Sequence, residues 1–96
     1  MRPSEALARH REAVHQVIAA HHACNGRVFG SVVHGRDAPG SDLDILIDTT
    51  NETTLMDVAA IQVALQALLA VPVDVVTPKA LPERFRGQVL REARPI

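Results

Sequence analysis

The segment that decides the fold is Gly30–Asp48, which reads GSVVHGRDAPGSDLDILID. It opens with a Gly-Ser pair directly after the apolar residues Val28 and Phe29. Because Gly30 has no Cβ, the chain can turn tightly there, and its backbone can approach a ligand closely. Free amides at the start of the following turn, together with the Ser31 hydroxyl, would suit phosphate oxygens. The first half of the segment therefore predicts a phosphate-binding turn.

The second half of the segment carries carboxylates at the start of a predicted strand. Asp42 and Asp44 are two residues apart, so both side chains lie on one face of the strand, about 6.6 Å apart along the chain. Hard oxygen ligands of this kind favour Mg²⁺ that also binds substrate phosphates. Two such ions about 3.5–4 Å apart can stabilise both oxygens of an in-line displacement. Asp48 shares the same face, but its place at the far end of the strand favours a structural or solvated role.

A third carboxylate is available in the apolar run 71–76. Asp74 lies in this short β-branched segment, which can pair alongside the strand that begins near Asp42. An unpaired charge is costly to bury in an apolar strand. Metal binding or a general-base role is therefore favoured for Asp74 over a structural role.

The spacing of these residues resembles a known signature. Gly30-Ser31, then ten residues, then Asp42-Leu43-Asp44 is similar to the pattern of the DNA polymerase beta-like nucleotidyltransferases. The shortness of the chain and its ending, a strand around Asp74 followed by a basic helix, resemble the minimal nucleotidyltransferases. These are the MNT antitoxins, which are encoded beside HEPN toxins. The likeness extends over nearly the whole chain from Gly26 onward.

The resemblance implies a role for each motif residue. Gly30 and Ser31 would hold the β- and γ-phosphates of ATP, and Asp42 and Asp44 would bind Mg²⁺. Asp74 would complete the metal site or take the proton from the attacking hydroxyl. The implied reaction is attack of a hydroxyl on the α-phosphate of ATP with loss of pyrophosphate, catalysed mostly by positioning and charge neutralisation.

One position departs from the family pattern. Members commonly carry Arg where this chain has His34, within Gly-Ser-x-Ala-Arg-Gly. His34 could contact phosphate or a partner, and Arg36 could supply the missing charge. Each could equally be a surface residue, and the sequence leaves both alternatives open.

Three functions are compatible with this reading. The first is a Mg²⁺-dependent adenylyltransferase antitoxin that transfers AMP to a tyrosine hydroxyl of a HEPN ribonuclease toxin, as the resemblance implies. The second is an antitoxin that neutralises the toxin by binding alone, against which the presence of all three aspartates argues. The third is a transferase for a small molecule such as an aminoglycoside, which normally requires an added domain. Nucleotide preference, the number of AMP units and the stoichiometry of a complex lie beyond the sequence.

Composition limits the remaining classes of protein. The 96 residues predict one domain, 1–96, with an aliphatic core, since 47% are hydrophobic and only Phe29 and Phe85 are aromatic. No apolar run has the length of a membrane span, and the N-terminus lacks the apolar segment of a signal peptide. The lone Cys24 cannot form an internal disulfide, which indicates a reducing cytoplasm. Residues 37–57 contain six acids and no Lys or Arg, and the flanking basic residues form no stripe typical of nucleic-acid binders. Within this acidic island, Asp37, Glu52 and Asp57 are interpreted as solvated turn residues.

The predicted elements give a two-layer α/β (α+β) fold, a small mixed sheet with flanking helices. In order they are helix 4–24, strand 27–29, brief helix 31–36, strand 43–47, a helix from a Thr54 capping box to about Leu69, strand 71–76 beginning at a Pro suited to an edge or strand-start position, and a helix from Pro82. Ser4 is expected to cap the first helix and Gly26 to end it, with Cys24 packed as a small apolar group. The histidines of the first helix lack metal-ligand spacing and are expected to be solvated or to face a partner.

The last two helices carry further expectations. The helix ending near Leu69 is apolar on nearly all sides, which predicts either an association surface or a helix crowded against the sheet. In the last helix, Phe85, Val89 and Leu90 are expected to pack, with Arg84, Arg86 and Arg91 facing outward.

Overall fold

The computed structural model describes all 96 residues as four helices, a short 3₁₀ turn and four strands. In chain order they are α1 (Pro3–Arg9), α2 (Arg11–Ala20), β1 (Ala23–Phe29), β2 (Leu43–Thr49), α3 (Leu55–Leu69), β3 (Val73–Val76), the 3₁₀ turn (Pro78–Ala80), α4 (Glu83–Glu92) and β4 (Arg94–Pro95). None of the helices has the length and apolar character needed to span a membrane.

The strands form one mixed sheet in the order β3-β2-β1-β4. β1 is antiparallel to both β2 and β4, and β2 is parallel to β3. The parallel pair requires a crossover, which α3 supplies. The predicted mixed sheet is confirmed, and β3 lies at the sheet edge, which is one of the two alternatives predicted from the Pro before it.

The core lies on one face of the sheet, under α1, α2 and α3. Alternate residues of β2 point into it, and α3 covers them with a row of aliphatic side chains spaced four residues apart. The fully or nearly fully buried members include Val14, Ile18, Leu43, Ile45, Ile47, Ile61, Leu65 and Leu69. The aliphatic core expected from the composition is therefore present.

The opposite face of β2 carries the polar positions and one apolar exception. Leu46 points away from the main core by strand alternation, yet it is fully buried. The chain after β3 crosses from one sheet edge to the other to reach β4, and Leu81 on this crossing is also buried. The segment around the 3₁₀ turn and α4 thus covers the middle of this face.

Two glutamines close the free edge of β3. In the parallel pairing of β3 with β2, the Asp74 and Val76 amides face β2, so the Val73 and Val75 amides point away from it. Gln66 Oε1 accepts from the Val73 amide at 3.2 Å, and Gln62 Oε1 accepts from the Val75 amide at 3.0 Å. Gln62 and Gln66 are one helical turn apart on α3 and satisfy the two edge amides that no strand covers.

α3 confirms its predicted bounds and its cap. The Thr54 hydroxyl accepts from the Asp57 amide, and the Asp57 carboxylate accepts from the Thr54 amide at 2.9 Å. Its outward side is apolar as well, since Leu55, Met56 and Val63 are 88%, 80% and 65% exposed. Use of this side for association stays a prediction.

The N-terminal helix prediction, 4–24, is wrong in several respects. The helix breaks at His10, and residues on both sides of the break are buried in one core. It ends at Ala20, and β1 begins at Ala23 rather than at Arg27. The predicted N-cap Ser4 and the predicted C-cap Gly26 have other positions: Arg2 is the N-cap, and Gly26 lies within β1.

The sequence predicts a helix end at Asn25-Gly26, whereas these residues form an irregularity within β1. Asn25 has a φ of 51°, and the pairing with β2 shifts register between Cys24 and Arg27, as at a β-bulge. Cys24 is exposed rather than packed. A left-handed Asn suits a bulge as well as a helix end, which explains the misassignment.

Three smaller predictions are also corrected. Residues 31–36 form hydrogen-bonded turns and no helix, β2 extends to Thr49, and β3 begins at Val73 rather than at residue 71. β4 had no sequence signal. α4 buries none of its residues, with Phe85 38% and Leu90 40% exposed, while the Arg86 guanidinium turns inward to donate to the Leu81 carbonyl.

Candidate active site

Two of the predicted aspartates lie side by side because of the sheet register. Asp44 of β2 is directly paired with Asp74 of the parallel strand β3. Adjacent strands are about 4.8 Å apart, so in-register side chains on one face are neighbours. Asp42 precedes β2 and lies at the same end of the sheet. Asp42 and Asp74 are exposed and Asp44 is partly buried.

The electrostatics of this group are unfavourable without a cation. Partial burial raises the pKa of Asp44, and the nearby Asp74 and Asp42 carboxylates raise it further. None of the three side chains forms a hydrogen bond or an ion pair with another group of the chain. A site that collects negative charge and leaves it uncompensated favours a positively charged ligand.

Gly30 lies against Asp44. β1 places Phe29 opposite Asp44, so the chain turns at Gly30 directly beside that carboxylate. Gly30 has a φ of +73°, and a Cβ built there would overlap the Asp44 Oδ2 atom. The position therefore excludes other residues for two reasons, a left-handed backbone and contact with the carboxylate.

The turn after Gly30 is folded back on itself by backbone hydrogen bonds. The Arg36 amide donates to the Ser31 carbonyl at 2.8 Å, and the His34 amide donates to the Gly30 carbonyl at 3.3 Å. The amides of residues 31–33 donate to no group of the chain. They are therefore available to phosphate oxygens, together with the Ser31 hydroxyl, beside the carboxylates.

The chemistry of the three carboxylates fits Mg²⁺, although they do not form a metal-binding group by themselves. No set of three or more His, Cys, Asp or Glu side chains is close enough to enclose an ion. Mg²⁺ usually keeps several waters and takes only one or two protein carboxylates plus substrate phosphates. The Asp44 and Asp74 oxygens, which have no hydrogen-bond partner, suit this way of binding Mg²⁺. Metal binding by Asp42, Asp44 and Asp74 stays a prediction.

His34 forms a contact that the sequence did not indicate. Its Nε2 atom lies 3.1 Å from Glu92 Oε2, which joins the turn after Gly30 to the last residue of α4. The two residues are 58 positions apart in the chain, so no local pattern could reveal the pair. Arg36 is exposed and forms no ion pair.

Asp48, the second carboxylate of β2, has a separate structural role. Its Oδ1 atom lies 2.5 Å from Arg27 Nη2, and its Oδ2 atom accepts from Asn25 at 2.8 Å. The Arg27 side chain is only 14% exposed. The structural role favoured for Asp48 from sequence agrees with this ion pair.

The concave region of the surface lies away from the carboxylate group. A cavity of about 340 Å³ is lined by Asp48, Thr49, Thr77, Pro78 and Lys79, at the end of β2 and β3 opposite to Asp42. Because the predicted phosphate turn and Asp44 lie at the other end of the sheet, this cavity does not mark the candidate site. The site itself is an open surface between Gly30 and Asp74.

The family assignment follows from residues 26–96, which match the nucleotidyltransferase domain model. The chain therefore belongs to the nucleotidyltransferase domain family. It is 38% identical over 65 residues to protein adenylyltransferase MntA of Thermococcus cleftensis, which covers 68% of this chain and 66% of that protein. It is 26% identical over 77 residues to a candidate protein adenylyltransferase of Methanocaldococcus jannaschii, covering 80% and 83% of the two chains.

Solved structures place the chain among the minimal nucleotidyltransferases. A structure described as a candidate minimal nucleotidyltransferase is 46% identical, with a TM-score of 0.86 over 97% of this chain and 95% of that one. A second, described as a toxin-antitoxin with AMP-PNP, has a TM-score of 0.71 over 97% of this chain and 71% of that one. Its identity is 16%, so it supports the fold alone. The predicted two-layer nucleotidyltransferase fold is confirmed.

Proposed function

We propose that this protein is an antitoxin that transfers AMP from ATP to a tyrosine hydroxyl of a HEPN ribonuclease toxin and so neutralises it. The observation that carries the proposal is the placement of the Gly30 turn directly against the Asp44 carboxylate, which is itself paired with Asp74 of the neighbouring strand. That arrangement brings a phosphate-binding backbone and a cation-binding group to one end of one sheet. Two named protein adenylyltransferases among its relatives support AMP transfer to a protein.

The residues divide the work of the reaction between them. Gly30 allows the turn to approach the triphosphate, and the Ser31 hydroxyl with the free amides of residues 31–33 binds the β- and γ-phosphate oxygens. Asp42, Asp44 and Asp74 hold Mg²⁺, which when bound neutralises charge on the phosphates and the departing pyrophosphate. Asp74 is exposed at the sheet edge, where it can alternatively accept the proton of the attacking hydroxyl.

The geometry of the site suits a large acceptor. Asp42 and Asp74 are exposed, so the carboxylate group faces open surface rather than a closed pocket. A hydroxyl carried on another protein can reach such a surface, whereas a small acceptor would require walls to hold it. The openness of the site therefore favours a protein acceptor over a small molecule.

The experiment that tests the proposal is the intact mass of the HEPN partner after co-expression with this protein. The variants are wild type, Asp42→Asn/Asp44→Asn, and Asp48→Asn as a control that changes a carboxylate of the same strand outside the site. Mass gains in whole AMP units with wild type and Asp48→Asn, and none with the double variant, are expected. The modified residue is then located by peptide mapping.

An unmodified partner that is nevertheless bound and neutralised contradicts the enzymatic proposal. It would leave the alternative in which the antitoxin acts by direct binding alone, with the aspartates idle. Modification on a residue other than tyrosine would retain AMP transfer but refute the proposed acceptor.

A further inference from the structure

We infer that Asp37 is a positioning residue that holds the phosphate-binding turn and Asp42 in place beside Asp44 by fastening the loop between β1 and β2 to α1. The inference rests on the proposed function, because it concerns the geometry of the nucleotide site. The sequence predicts a solvated turn residue at Asp37, whereas the structure buries it. It is 7% exposed and is the only charged side chain in the buried set.

Asp37 binds a helix that is distant in the chain. Its Oδ2 atom accepts a hydrogen bond from the Ser4 amide at 2.9 Å, across 33 positions of sequence. The Ser4 amide is in the first turn of α1, where helix amides lack partners within the helix and the helix dipole favours a negative charge. This bond lowers the pKa of Asp37, so the carboxylate is ionised at neutral pH.

The anchor point is rigid. Pro3, Ala6 and Leu7 of α1 are buried, the last two within the main core. A carboxylate fixed to the first turn of α1 is therefore fixed to the core. The loop between β1 and β2 has no other buried side chain, since every other residue of 30–42 is exposed or partly exposed.

Asp37 also lies between the two halves of the site. On one side, the Arg36 amide donates to the Ser31 carbonyl and ties the phosphate-binding turn to the residue before Asp37. On the other side, the Ala38 amide donates to Ser41 Oγ at 2.9 Å, which closes the turn that leads to Asp42. Local hydrogen bonds thus connect Asp37 to both halves, and its own bond connects them to the core.

Without the Asp37 hydrogen bond to Ser4, the phosphate-binding turn and Asp42 can both shift relative to Asp44. A displacement of about 1 Å in groups that position substrate can reduce the rate about 10²-fold. Asp37→Ala is therefore expected to weaken binding of Mg·AMP-PNP roughly tenfold or more while the core stays folded. Asp37→Asn, whose amide oxygen can still accept from Ser4, is expected to retain most of the affinity.

Asp57 supplies a matched control. Its carboxylate also accepts from an amide at the start of a helix, that of Thr54 at 2.9 Å, but it caps α3 and lies outside the loop between β1 and β2. Asp57→Ala therefore removes a comparable cap without releasing that loop. A merely structural role for Asp37 would make the two alanine variants behave alike.

The test measures affinity for Mg·AMP-PNP by calorimetry and the backbone amide resonances of residues 31–33 and 42 by NMR, for wild type, Asp37→Ala, Asp37→Asn and Asp57→Ala. The expected result is weakened binding and shifted resonances in Asp37→Ala alone. Unchanged resonances and affinity in Asp37→Ala, or equal losses in Asp57→Ala, overturn the inference. If Asp37→Ala does not fold, Asp37→Ser replaces it, because its hydroxyl is polar but too short to reach the Ser4 amide.

The two proposals fail separately in this experiment. A wild-type protein that does not bind Mg·AMP-PNP contradicts the proposed function. The resonances of residues 31–33 and 42 then decide by themselves whether Asp37 positions the loop.

Discussion

Gly30→Ala should reduce the rate of AMP transfer for a reason that can be separated from stability. The substitution places an L side chain at a φ of +73°, which costs about 1–2 kcal/mol. It also brings a Cβ into the space of Asp44 Oδ2. Because Asp44 has no hydrogen-bond partner to hold it, its side chain rotates away, so the overlap adds little to the loss of stability.

The matched control for this prediction is Gly35→Ala in the same turn. Gly35 has a φ of +66°, and a Cβ built there has no atom within 4 Å. Both variants should therefore lose a similar free energy of unfolding, and a domain of this size loses about 4–8 °C in Tm for each kcal/mol. Only Gly30→Ala moves the Asp44 carboxylate, and a shift of about 1 Å predicts a loss of about 10²-fold in rate.

The assay is the rate of AMP transfer to the proposed HEPN partner, measured beside thermal unfolding for both variants at a temperature where both are folded. Similar Tm values with a large difference in rate are expected. Equal rates for the two variants would refute the claim that Gly30 is required because it leaves room for Asp44. A much lower Tm for Gly30→Ala would show that Asp44 cannot rotate as the argument requires.

Three other predictions concern stability. A raised pKa of Asp44 means that the fold disfavours its ionised form, so stability without divalent cations should fall as pH rises from the ordinary Asp pKa through the raised one. Asp44→Asn should flatten this dependence of Tm on pH and raise Tm at pH 7. Parallel curves of Tm against pH for wild type and Asp44→Asn would contradict a raised pKa at Asp44. Asp48→Ala leaves the part-buried Arg27 guanidinium without its partner and should cost about 1–3 kcal/mol in denaturant unfolding with no effect on Mg·AMP-PNP affinity, whereas weaker binding would place Asp48 in the site. Gln62→Leu/Gln66→Leu removes the acceptors of the two edge amides of β3. The double variant should lose about 1–3 kcal/mol in free energy of unfolding and should self-associate more in sedimentation velocity. A stable monomer would show that water replaces the glutamines.

Local patterns predicted the parts of the fold that are locally determined. The Thr54 capping box and the apolar run after it defined α3 correctly, and period-two alternation placed Asp44 on the face of β2 opposite to the aliphatic core. The mixed sheet followed from the order of elements. In these cases the signal lies within one turn or one strand, where the responsible contacts form.

The missed features depend on contacts between distant segments. β4 is two residues, Arg94 and Pro95, whose strand character comes only from pairing with β1. The Asp37 bond to Ser4 and the His34 contact with Glu92 join positions that are 33 and 58 residues apart. Asn25-Gly26 fits either a helix end or a bulge, and the pairing with Asp48 decided between them. The predicted roles of Gly30, Ser31, Asp42, Asp44 and Asp74 await the experiments described above.

The parallel pairing of Asp44 with Asp74 has a consequence for how the chain tolerates insertions. Side chains alternate along a strand, so a slip of one residue in β3 would turn Asp74 into the aliphatic core and bring a valine to the carboxylate face. The Leu43 amide bond to the Pro72 carbonyl and the two glutamines of α3 hold β3 from both sides against such a slip. One added residue between Leu69 and Val73 should therefore abolish the proposed AMP transfer, whereas the surface turn at Pro39 and Gly40 should accept an insertion. The length of the three-residue connection between α3 and β3 thus determines whether Asp74 faces the candidate active site.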